Sequence, residues 1–261
     1  SKVLVEGRTY PVTEAATSLL DVMRQEVVRL GINVEVSTEV KKIKQVDNKY
    51  YLECNDKTIE ADYVVISTGG KASPALGSNG SGYNILKEHK ININRPLPGL
   101  VGLKVENTGF KSLDGLRIKG VLSILDKKTK MVYWKEAGEI QFTDKAISGI
   151  PIMNLSHLCE NRKNLKINLD LCPEIKEIDL FNHIKHGVNN SQNIELETIL
   201  NGIVNLKLGF AVMNRSGIKP QTKCNSLKDF QINEIVKQLK NFEISIKSAK
   251  GFDNAQITKG G

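Results

Sequence analysis

An α+β protein is the expectation from this sequence, and three observations carry it. Residues 13–66 pass from a helical period to strand alternation and end on an apolar run cut off by glycines. Residues 100–155 hold only short strands separated by turns. Residues 174–240 read as helix with two breaks. A length of 261 residues accommodates one large domain or two to three small ones.

Along the chain, residues 13–31 predict a helix. Ala16, Leu19, Leu20, Met23, Val27 and Leu30 fall at three- and four-residue spacing and form one stripe. Thr13 offers a hydroxyl as N-cap, and Gly31 stands where a left-handed residue ends a helix. Strands follow at 32–36, 40–46 and 49–54, the last two joined by Asp47-Asn48, with a short run at 58–60. Tyr63-Val64-Val65-Ile66 is continuously apolar, the pattern of a parallel strand buried on both faces, and it stops at Ser67-Thr68-Gly69-Gly70. Residues 71–83 are turn-rich and lead into a short helix over 86–89. Pro96 and Pro98 then mark a boundary.

Beyond that boundary, strands are predicted at 101–105, 116–125, 131–134 and 139–142. Ser148-Gly149-Ile150-Pro151 breaks the run, and a helix is expected over 154–158. Residues 165–171 alternate like a strand. The helical stretch that follows is interrupted at 187–190 and at 217–220, and 242–246 is a last strand.

Composition narrows the function classes. Hydrophobic residues are 40% and aromatics 5%, so an aliphatic core is expected. No run of about 18 apolar residues occurs, and the opening Ser1-Lys2-Val3-Leu4-Val5-Glu6 is too mixed for a signal peptide, so a cytoplasmic protein without a membrane partner is expected. The four cysteines form no C-x-x-C pair and read as free thiols. The net charge of +8 could attract an anion, but the lysines are scattered and aromatics are few. Lys41-Lys42-x-Lys44 and Lys127-Lys128-x-Lys130 look like protected strand edges. No nucleic-acid partner is therefore expected.

Four segments are candidates for chemistry. Thr68-Gly69-Gly70 closes an apolar strand, where glycines let backbone amides approach a ligand. Gly7-Arg8-Thr9-Tyr10-Pro11 places a forked guanidinium near a helix start. Gly77-Ser78-Asn79-Gly80-Ser81-Gly82-Tyr83 looks superficially like a phosphate loop but lacks the G-K-[ST] ending. Gly138-Glu139-Ile140-Gln141-Phe142-Thr143, with Ile147-Ser148-Gly149-Ile150-Pro151, says only strand, turn, helix start. His183 and His186 share a helical spacing, yet two ligands do not make a zinc site, so no metal is expected. The serines lack the G-x-S-x-G context, and no catalytic acid or base is identifiable.

These four segments, with Lys71-Ala72-Ser73-Pro74 and the closing Ala255-Gln256-Ile257-Thr258-Lys259-Gly260-Gly261, stand in an order that resembles the BaiN/YhiN-like family of bacterial NAD(P)/FAD-dependent oxidoreductases. The resemblance implies a Rossmann-like FAD-binding domain over 1–98, rejoined by 255–261. It implies an inserted β-rich, barrel-like domain over 99–158 plus 226–254, and a mainly helical subdomain over 159–225. It implies FAD as cofactor, with NAD(P)H left open, and a small organic substrate entering between domains. Arg8, Val40, Thr68, Gly69 and Gly70 are the cofactor-binding residues that it suggests.

One departure is large. Members of that family open with a G-x-G-x-x-G turn that seats the FAD pyrophosphate, and no such motif occurs in these 261 residues. The expectation is an internal piece of the enzyme, lacking the opening and closing FAD segments, inactive and FAD-free by itself. Three lost charge-assisted bonds at about 1.5–3 kcal/mol each weaken binding by more than about a thousandfold. The alternative expectation is a non-catalytic binding module whose basic surface recognises a partner or RNA.

Overall fold

The structure, a computed structural model, describes residues 2–3, 9–106, 110–159, 162, 164–191 and 193–261. It is α+β, and the chain divides into two compact units, Ser1–Val65 and Ile66–Gly261.

In the first unit β1 (Lys2–Val3) pairs antiparallel with β2 (Thr9–Tyr10). Helix α1 (Ala16–Arg29) follows, then a meander of β3 (Val40–Val46), β4 (Lys49–Cys54) and β5 (Thr58–Ala61). The helix starts later than expected. Ala15 is its N-cap, while the Thr13 hydroxyl accepts the Ala15 amide at 3.4 Å and hydrogen-bonds Ser18 at 2.8 Å. Gly31 is left-handed at φ 62°, as a helix end requires. The stripe of α1 is exposed at Leu19, Leu20 and Met23 rather than buried.

Two expected strands do not form. Residues 32–36 and 63–66 belong to no ladder, and Tyr63 and Val65 are 89% and 86% exposed. A strand exists only through a neighbour that takes up its backbone groups. Every ladder among the described residues is antiparallel, so the parallel sheet expected around residues 63–66 is absent there.

The second unit is built on a closed barrel. Helix α2 (Ser81–Glu88) and β6 (Leu97–Gly99) precede it. The barrel strands are β7 (Leu103–Val105), β8 (Arg117–Asp126), β9 (Val132–Thr143), β10 (Ala146–Ser148), β11 (Leu165–Asp170) and β12 (Phe242–Ala249). They close in the order β10-β7-β12-β11-β8-β9. The two strands expected at 131–134 and 139–142 are one strand, β9, because it pairs with β8 from Gln141↔Arg117 to Val132↔Leu125. Alternate residues fill the interior: Leu122, Ile124, Ile140, Phe142, Ile167 and Leu169 are wholly buried.

The range expected to be helical, 159–225, opens with β11, which lies between β8 and β12 in the barrel. The ammonium of Lys166 on β11 is 7% exposed as a residue and is paired with the Glu243 carboxylate on β12.

Helix α3 (Ile150–Leu155) caps the β10 end, after Gly149 at φ 107°. The helical layer is α4 (Glu177–Asn190), α5 (Leu196–Asn201), α6 (Leu206–Arg215) and α7 (Asp229–Lys240). Leu180, Ile184, Val212, Ile235 and Leu239 bury against one another and continue into the barrel core. Gly187, expected as a break, lies inside α4. A Cβ there would stand 3.2 Å from Ile199, so the glycine serves the close approach of α5. Finally β13 (Ile257–Lys259) pairs with β6.

If β11 is a barrel stave, shortening one of its inward side chains must be costly. Ile167→Ala is expected to destabilise the protein by about 2–5 kcal/mol. Phe230→Ala, at a position on α7 that is 68% exposed, is expected to stay within about 0.5 kcal/mol. Urea unfolding midpoints of the two variants decide between these outcomes.

Candidate functional site

Five residues are candidates from the sequence, and the structure separates them. Arg8 lies outside the described residues. Val40 opens β3 in the first unit, paired with Cys54 beside a register shift at Val40/Lys42. Thr68, Gly69 and Gly70 open the second unit, in a loop rather than at the end of a strand.

This loop is tied down by the last residues of the chain. The amides of Lys71 and Ala72 both donate to Thr258 Oγ1, at 2.7 and 2.9 Å. The Ser73 hydroxyl donates to the Ala255 carbonyl at 3.1 Å, and the Ser73 amide to that of Phe252 at 3.0 Å. Asn94 and Gly261 exchange backbone bonds at 3.0 and 3.3 Å, next to the β6–β13 ladder.

Glycine is needed at two points of this clasp. At Gly70 a Cβ would run into the Thr258 side chain, and Gly69 holds φ at 74°, where other residues are strained. Thr68 Oγ1 packs against Gly82 in the first turn of α2, where a side chain would collide with it.

Gly70, Ala72, Ser78, Tyr83, Gln256 and Thr258 line a shallow cleft of about 350 Å³. Two of the four loop amides, those of Lys71 and Ala72, are spent on Thr258. The amides of Gly69 and Gly70 make no hydrogen bond among the described residues. A volume of this size is at the small end for ligand clefts, so it suits one portion of a dinucleotide and not the whole. Thr258, Gln256, Ser78 and Tyr83 are the lining residues that sequence reasoning did not single out. Thr258 stood in a recognised motif, but its bond to amides 186 and 187 residues away has no local signature.

The buried Cys172 is not an activated nucleophile. Burial pushes the Cys172 thiol up to about 11, with the Asp170 carboxylate adding to the effect, so the thiol stays protonated at neutral pH. The Arg215 guanidinium is held below its ordinary value by burial. It stacks 3.8 Å from the Phe242 ring centroid and donates to the Glu243 carbonyl at 2.6 Å, a packing role. Among the described residues no group of three His, Cys, Asp or Glu is placed to hold a metal ion, and no helix is long and apolar enough to cross a membrane.

The barrel, the helical layer and the glycine loop together point to a known architecture. The family described as "HI0933-like protein barrel and H2TH domain" matches residues 97–257. The chain belongs to this family of flavoprotein oxidoreductases. A second family description, "Pyridine nucleotide-disulphide oxidoreductase", matches residues 1–98.

The chain is similar to several curated proteins, two of which are described here. The "3-dehydro-bile acid delta(4,6)-reductase" of Clostridium scindens is 28% identical over 98% of this chain and 63% of its own length. The "Ribosomal RNA dihydrouridine synthase" of Escherichia coli is 22% identical over 95% of this chain and 60% of its own length. The chain thus spans about three-fifths of the length of these relatives.

The clasp makes its own prediction. Thr258→Val keeps the shape and removes the acceptor for two partly buried amides. A loss of about 1–3 kcal/mol is expected, read as a lowered unfolding midpoint. The conservative Thr258→Ser should retain most of the stability.

Proposed function

We propose that the protein is an FAD-dependent reductase that saturates a ring carbon–carbon double bond of an organic substrate. The observation that carries this reading is the pair of relatives. One is named as a delta(4,6)-reductase and the other as a dihydrouridine synthase. Their substrates differ, but both names describe adding two hydrogens across a double bond in a ring. When bound and reduced, the flavin supplies the hydride for such a reaction.

The contribution of this chain's own residues is binding and orientation. Gly70 lines the cleft, the amides of Gly69 and Gly70 make no hydrogen bond among the described residues, and Thr258 holds the loop that carries them. The proposed cofactor contacts of the second unit are Thr68, Gly69 and Gly70; Val40, and Arg8 outside the described residues, are proposed for the first unit from the sequence alone. The 350 Å³ cleft receives one part of FAD, and the pyrophosphate needs a phosphate-binding turn of the G-x-G-x-x-G type that these 261 residues do not contain. By themselves they should therefore hold FAD weakly. A nicotinamide nucleotide is the natural electron donor to such a flavin, and the match of residues 1–98 to the pyridine-nucleotide family is in keeping with that.

The test uses the whole gene product. Purified with FAD, it should be yellow, and once reduced without oxygen its flavin should be reoxidised by a cyclic α,β-unsaturated ketone. A protein that stays colourless after incubation with FAD, or a reduced flavin that no such ring reoxidises, contradicts the reading. In the yellow protein, Gly70→Val should weaken FAD at least tenfold, because its side chain displaces Thr258 and the loop with it.

A further inference from the structure

Adding two hydrogens across a ring double bond takes a hydride and a proton, and a reduced flavin accounts for the hydride. The proton calls for a second group beside the substrate. Of the four histidines, His89, His183 and His186 are exposed, and His157 is half-buried. His157 lies in the single turn Ser156–Cys159 that follows α3. It lines a small cleft with Leu100, Met153, Asn154, Ile257 and Lys259.

The imidazole is fixed on two sides. Its Nδ1 lies 2.7 Å from the Asn154 carbonyl, which can only accept, so Nδ1 carries a hydrogen. The Asn154 side chain donates to Glu136 Oε1 on β9 at 2.8 Å, and Trp134 Nε1 donates to Oε2 of the same carboxylate at 2.8 Å. The Trp134 ring meets the imidazole edge-on, with centroids 6.4 Å apart and planes at 90°. Nε2 has no partner among the described residues. When the ring is charged, Nε2 also carries a hydrogen and can donate it.

The wall of this cleft holds a strained residue. Leu100 stands at φ 47°, a left-handed conformation that a branched side chain rarely adopts and that gathers at functional sites. Bonds on either side hold it there. The Gln256 amide donates to the Leu100 carbonyl at 3.3 Å, and the Val101 amide donates to Oγ of buried Ser156 at 3.3 Å. Leu100, Met153 and Ile257 make apolar walls, His157 and Asn154 are polar, and Lys259 is exposed. A volume of about 230 Å³ suits one ring rather than a whole ligand. Ile257 also lines the cleft at the glycine loop, so the two clefts are neighbours.

We propose that this cleft holds the ring being reduced and that His157 is a catalytic residue, its charged imidazole donating from Nε2 to a ring carbonyl conjugated with the double bond. The inference rests on the reductase reading above. When the far carbon of the conjugated system accepts a hydride from the reduced flavin, the carbon–carbon π bond opens and its electron pair moves onto the carbonyl oxygen. The oxygen takes the Nε2 proton as the N–H bond breaks, which gives an enol. The enol becomes the saturated ketone in water, the flavin is left oxidised, and solvent returns a proton to the imidazole. A donor already aimed at the oxygen where charge develops lowers the barrier to this step. Asn154 and Glu136 are positioning residues, since they hold the imidazole and its support.

The test uses the whole gene product, loaded with FAD and carrying isotope-labelled histidine for NMR. The His157 signal, identified by its loss in a variant, should shift when cyclohexenone is added to the oxidised protein. It should stay in place with cyclohexene, a ring without the carbonyl. Two variants separate the ring nitrogens. The amide nitrogen of glutamine stands as many bonds from Cα as Nε2 does, and that of asparagine as many as Nδ1. His157→Gln should keep the cyclohexenone affinity within about threefold, whereas His157→Asn should lose about tenfold or more. Reoxidation of the reduced flavin by cyclohexenone should slow about tenfold or more in His157→Asn, and by less in His157→Gln.

A purely structural role for the Nδ1 bond gives the reverse order, with asparagine tolerated and glutamine costly, and overturns the proposal. So does a His157 signal that responds equally to cyclohexene, which marks an apolar pocket without carbonyl recognition. Should either variant melt early, the titration of the unmodified protein with the two rings decides alone. A reduced flavin that no cyclic ketone reoxidises in the unmodified protein contradicts the reductase reading and takes this proposal with it. Reoxidation at the unmodified rate in both variants overturns this proposal alone.

Discussion

The closed hydrogen-bond ladder of the barrel is the constraint on which the second unit depends. Each of its six strands finds a partner on both edges, so the barrel has no free edge. Closure requires β12, at residues 242–249, to slot between β7 and β11, and β11 to slot between β12 and β8. The helical layer is threaded between those two strands in sequence and is thereby pinned to the barrel wall. The bond from the Leu171 amide to the Leu239 carbonyl at 2.9 Å marks where the last helix docks. One aliphatic core runs through both layers, with Phe142 and Phe242 its largest fully buried side chains.

The same closure shapes the glycine loop. By returning the chain to β7, it delivers residues 252–261 to the loop at 70–73, where one threonine hydroxyl satisfies two amides that would otherwise be unpaired. The loop is thus defined by a long-range contact rather than by its own turn propensity, while the Gly69 and Gly70 amides remain available.

Much of this was legible beforehand, for reasons that can be stated residue by residue. The meander at 40–61 was readable because alternation and turn residues are local signals. So were the barrel staves at 117–126 and 165–170, and the left-handed glycine at 31. What failed depended on neighbours. Tyr63–Ile66 has the composition of a buried strand and is not one, because apolar residues supply the propensity but not the partner. Gly187 looks like a helix break and is a packing point, since only the position of Ile199 explains it. Thr258 was invisible for the same reason: its contact joins residues far apart in the chain.

Cofactor binding at the glycine loop is the central claim, and hydrogen–deuterium exchange on the whole gene product, with and without FAD, tests it most directly. Slowed exchange on FAD addition at the Gly69 and Gly70 amides, extending to the 257–259 strand that braces them, is the predicted result. Tight FAD binding with unchanged exchange in both segments would place the cofactor elsewhere and contradict the account.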